Sequence, residues 1–118
     1  MEFRPAYRVT TFVPPENVDA VVDAIVAVNP LGDGRYDRVC WKSAVGVEQF
    51  RPLEGAHPTR GRVGEVTRCA AVRLEFVLPR DPETLRRVLE EGLIPAHPWE
   101  EPAVFIDETT VTFNAASG

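Results

Sequence analysis

A chain of 118 residues has room for one domain, and 44% hydrophobic with 26% charged residues is a globular composition. The net charge of −5 and a pI near 5.0 argue against nucleic acid, whose binding draws on a basic surface that releases condensed counterions. Two cysteines cannot staple a disulfide scaffold, and no apolar run approaches the ~18 residues that cross a bilayer.

The opening Met1-Glu2-Phe3-Arg4-Pro5 has no apolar secretion-type segment, so the expectation is a cytoplasmic chain. From Tyr7 to Val13 the period is two. Tyr7, Val9, Thr11 and Val13 share one side and Arg8, Thr10 and Phe12 the other, which predicts a strand. Pro14-Pro15 ends it and opens a helix, with Val18, Val21, Val22, Ile25 and Val28 at helical spacing and Glu16, Asp19 and Asp23 elsewhere on the wheel. Asn29-Pro30 stops that helix.

Gly32 and Gly34 turn the chain into an extended stretch from Tyr36 to Ser43. Gly46 breaks it and Val47 to Arg51 resumes, which predicts a hairpin. Residues 52–65 read as a loop. Val72, Leu74, Phe76 and Leu78 then mark one face of another strand, closed by Pro79. Asp81-Pro82-Glu83 starts a second helix with Asp81 as N-cap and a stripe of Leu85, Val88, Leu89 and Leu93. Gly92 weakens its end and Pro95 is expected to stop it. Ala103 to Ile106 and Thr110 to Phe113 read as two strands or one bent strand.

This order predicts a single α+β domain over residues 1–118, with its core at about 6–114. Its type is a ferredoxin-like βαββαβ sandwich, an antiparallel sheet with two helices on one face. Tyr36, Trp41 and Phe50 are expected to form an apolar patch on the other face, a setting for self-association.

Three segments carry a resemblance over about Tyr7 to Ile106. They are Gly34-Arg35-Tyr36-Asp37 with Cys40 and Trp41, then Phe50 through Pro58, and His97-Pro98-Trp99-Glu100-Glu101-Pro102. Together they resemble the PII/CutA-like domain inserted into some Nif-three-like proteins, the dinuclear-metal GTP cyclohydrolase type-I-like family. The chain departs from that pattern in lacking a second hairpin glycine after Gly46, and in His57 and Trp99, where Asn and Tyr are usual. The resemblance implies a PII/CutA-like fold, a homo-oligomer with the trimer favoured, and a small-molecule or protein partner. Its segments supply the ligand-binding candidates Tyr36, Cys40, Trp41, Arg51 and Glu54. With two histidines in the whole chain, the family's two-metal chemistry does not carry over.

Among candidate sites, His97 with Glu100 and Glu101 offers an imidazole and two carboxylates for a divalent metal ion in the manner of CutA. Against this, consecutive glutamates in extended chain point to opposite faces. Pro95, Pro98 and Pro102 read as a rigid corner in which His97 caps a backbone group. The run from Gly55 to Gly64, with Arg60 and Arg62, could hold a phosphate but lacks the Walker ending, and a surface loop is the plainer reading. No catalytic residue stands out; a Cys40–His97 pair is the remaining route to a small hydrolase. The expectation is a non-enzymatic binding or regulatory domain.

Overall fold

The structure is a computed structural model that describes residues 1–32 and 34–113. The alternating stretch becomes β1 (Glu2–Val13), which buries Tyr7, Val9, Thr11 and Val13. Thr11 is the polar member of that row, and its hydroxyl donates to the Ala103 carbonyl at 2.8 Å, so its burial leaves no unmet group. A 3-10 turn (Pro15–Asn17) leads into α1 (Val18–Val28), whose Val18, Val21, Val22 and Ile25 face the sheet. Across the sheet Val72, Leu74, Phe76 and Leu78 of β4 (Thr67–Pro79) complete the core.

The expected hairpin after Tyr36 is corrected. β2 (Trp41–Lys42) and β3 (Gly46–Phe50) do not pair with each other; both run antiparallel to β4. Lys42 lies opposite Leu74 and Gly46 opposite Ala71, so this edge carries one residue more than β4, a bulge at Ser43–Val45. Ser43 stitches the gap, its N–H donating to the Arg73 carbonyl and its hydroxyl accepting from the Arg73 N–H. The hairpin is instead β3–β4, closed by residues 51–66.

The second helix starts as expected at α2 (Pro82–Arg87), where Asp81 accepts from the Glu83 N–H. It does not stop at Gly92 or Pro95. A π-helical segment (Val88–Leu93), in which the Ile94 N–H reaches the Leu89 carbonyl, carries the chain past Pro95 into α3 (Ile94–Ala96). Gly92 lies where a Cβ would stand 3.1 Å from the Ala24 carbonyl oxygen, so its missing side chain lets this helix press onto α1. The last strand is one piece, β5 (Val104–Phe113).

The sheet order β2-β4-β1-β5, all antiparallel, with β3 continuing along β4, is the ferredoxin-like arrangement with the helices on one face. Two ladders overrun it. Thr67–Ala71 pairs with β3 beyond the end of β1, and Glu2–Pro5 pairs with Thr110–Phe113 beyond Pro79. These overhangs account for a radius of gyration of 16.0 Å, against about 13.5 Å for a compact domain of this length.

Candidate functional site

The β3–β4 loop folds back on the corner between α3 and β5, and His97 sets that corner. Its ring is buried; Nε2 lies 2.7 Å from the Phe12 carbonyl and Nδ1 accepts from the Trp99 N–H at 3.1 Å. Both contacts fit one state, the neutral ring with its proton on Nε2. Burial pushes the imidazole below the ordinary histidine value, against the opposing pull of the Phe12 carbonyl and Glu48.

Trp99 is then fixed from three sides. Its indole N–H donates to Glu48 at 3.0 Å, Phe50 packs at 6.0 Å between centroids, and the Arg60 guanidinium lies 5.7 Å from its ring. Arg60 also pairs with Glu16, whose carboxyl is held below its ordinary value by a backbone hydrogen bond and by that guanidinium. The loop is pinned further along: the His57 N–H donates to the Glu100 carboxylate at 3.0 Å and the Thr59 hydroxyl to the Pro98 carbonyl at 2.7 Å. Gly55, at φ +95°, makes the turn in which the Ala56 N–H reaches the Leu53 carbonyl. Between loop and corner lies a cleft of about 590 Å³, lined by Phe50, Arg51, Glu54, Arg60, Trp99 and Glu101 among others.

The sequence candidates therefore divide. Arg51 and Glu54 line this cleft, whereas Cys40 and Trp41 line a second groove of about 490 Å³ at the far end of the sheet. Tyr36 is 76% exposed and lines neither. Phe50, expected on the open face, packs on Trp99 instead, because it lies opposite Thr67 on the side that meets the corner.

His97, Glu100 and Glu101 do not assemble into a metal site here. Both imidazole nitrogens are engaged by backbone, Glu100 holds the His57 N–H, and no three His, Cys, Asp or Glu side chains converge among the described residues. The same bonds leave His97 no nitrogen for Cys40. The Gly55–Gly64 run is a pinned loop, with Arg60 turned to Glu16 and Trp99.

Glu48 was missed, since nothing local marks a strand glutamate as a tryptophan's partner. The tie through Glu16 left a faint signal. Glu16, Asp19 and Asp23 stand at i, i+3 and i+7, and each holds a cation from the facing edge: Arg60, Lys42 (3.0 Å) and Arg38.

A five-strand antiparallel sheet backed by helices, with a long loop folded onto the corner before the last strand, is a ferredoxin-like α+β domain. No family model matches the chain. It is 37% identical over 92 residues to the GTP cyclohydrolase 1 type 2 homolog of Mycobacterium leprae and 34% identical over 99 residues to that of Bacillus subtilis. These matches cover 78% and 84% of this chain but 23% and 26% of those proteins, so the chain spans about a quarter of the relatives it matches.

Among solved structures, a Bacillus cereus protein related to NIF3 superposes with TM-score 0.72 at 25% identity, over 92% of this chain and 27% of that one. The PII-like nitrogen regulatory protein CPII of Thiomonas intermedia, solved with ADP, AMP and bicarbonate, superposes with TM-score 0.53 at 13% identity. That match covers 96% of this chain and 99% of CPII, and shows the fold alone. The chain is similar to one part of the NIF3-related proteins and has the fold of PII-like proteins. No helix among the described residues is long and apolar enough to cross a membrane.

Proposed function

We propose that the chain is a non-enzymatic regulatory binding domain that self-associates and holds a small ligand between the β3–β4 loop and the corner carrying Trp99. The observation behind this reading is the cleft itself. Its volume lies in the range of small-molecule sites, and an aromatic wall, two arginines and several carboxylates converge on it. Its walls are bonded to backbone and to one another rather than poised as nucleophile and base, which favours binding over catalysis.

Self-association rests on a different region. Phe105 is 56% exposed on the open sheet face, edge-on to Phe12, and among the described residues β5 has no neighbour on its outer side. The resemblance to PII/CutA-like proteins makes a trimer the assembly to look for. Among the described residues a CutA-like divalent-cation role has no three-donor cluster to rest on.

The test is fluorescence titration of the chain with a panel of small ligands, led by the adenine nucleotides and bicarbonate found in CPII and by guanine nucleotides. Native mass spectrometry runs alongside. Saturable quenching that is lost in Trp99→Phe, on an oligomer, is the expected result. No saturable response to any of them at millimolar concentration sinks the ligand reading, and a monomer at all concentrations sinks self-association.

A further inference from the structure

The second groove lies where β4 outruns β2. Val39 turns away because its N–H bonds to the Leu31 carbonyl and that of Arg38 to the Pro30 carbonyl, leaving β4 uncovered from Phe76 to Pro79. The overhanging β1–β5 ladder closes the other side with Arg4, Val111 and Phe113. The result is a concavity of about 490 Å³ lined mainly by apolar residues, of which Val39 and Trp41 are exposed and Phe113 is half-buried.

Among the described residues two charged side chains line it. Glu75 is already satisfied, accepting from Thr10 at 3.1 Å and lying 3.8 Å from Arg8. Arg4 is different. Its guanidinium lies 3.6 Å from the centroid of the Phe113 ring, a cation–π contact, and among the described residues its ion-pair partner is Glu2 alone, at 3.2 Å. Both members of that pair are about half exposed, so the attachment is weak and leaves other donors of the planar fork unbound.

We propose that this groove is a second binding site, separate from the Trp99 cleft, for a small carboxylate with an apolar body. The hydrocarbon or ring replaces water against Trp41, Val39 and Phe113. The carboxylate takes the guanidinium of Arg4 in the paired geometry that arginine favours. Size, apolar walls and a cation held against a ring together favour this class over a sugar or a metal ion.

The test is isothermal titration of the chain with octanoate, using octan-1-ol as the uncharged match, on the unaltered protein and on Arg4→Gln. Expected are about one octanoate per chain, a tenfold or greater weakening in Arg4→Gln, and octanol binding that is the same in both. Arg4→Lys keeps the charge and should lie between them. Octanoate binding equal in both proteins, or absent, overturns the proposal. So does an oligomer that shields Trp41 from iodide quenching equally with and without octanoate, which would give the groove to a second copy of the chain. No saturable quenching of the unaltered chain by the nucleotides or bicarbonate, with octanoate binding intact, would reject the first site and leave this one standing.

Discussion

The sheet–helix core and the loop–corner assembly sit on the same β4 strand and are held by different forces. Around Val9, Ile25, Leu74 and Leu78 every side chain is sealed, and the stabilisation comes from apolar area removed from water. Around Trp99 the parts, apart from the buried His97, are exposed or half-buried and are held by polar contacts: His97 to two backbone groups, Glu48 to the indole, Glu100 to a loop N–H. Burial is non-directional and tolerates no loss of volume. The polar contacts fix direction and each contributes little alone. The lesson is that the core can carry the fold while the cleft stays adjustable.

That contrast can be broken by substitution. The largest effect should come from Leu74→Ala, which empties a fully buried position and should cost about 2–5 kcal/mol in urea unfolding. A loss well under 1 kcal/mol would show that the core is not the sealed layer described.

Next comes His97→Ala, which strips the Phe12 carbonyl and the Trp99 N–H of their partner and should cost about 1–3 kcal/mol. Its pH dependence sharpens the point. Since burial lowers the folded-state pKa of His97 from the usual 6.5, the unfolded chain takes up this proton first as the pH falls. The stability tied to the neutral ring is therefore complete above about pH 6.5 and is lost as the pH falls through the lowered value. Urea midpoints between pH 8 and 5 should fall less in His97→Gln than in the unaltered chain; parallel slopes would remove His97 as their source. The smallest effect is expected of Lys42→Ala, whose exposed bond to Asp19 should contribute no more than about 0.5 kcal/mol.

Sequence and tertiary structure divided the work along the range of the forces involved. The alternation of Tyr7 to Val13 and of Val72 to Leu78, the valine stripe of α1 and the Asp81 cap were legible because each depends on neighbours within a few residues. The resemblance carried by the three motifs pointed to the same PII-like arrangement. The reading that His97 caps a backbone group also came from the sequence, through the prolines around it.

What needed the folded chain was everything set by distant partners. Whether residues 41–50 pair with each other or with β4 depends on an edge that local pattern does not describe. Whether the second helix ends at Gly92 depends on α1 lying against it, since a glycine that weakens an isolated helix is what allows this close approach. Arg51 and Glu54 were grouped with Cys40 and Trp41 because their motifs follow one another in sequence, yet β4 separates them to opposite ends of the sheet. Periodicity records which side of an element is apolar. Only the assembled sheet decides which element that side meets, and so where a cleft opens.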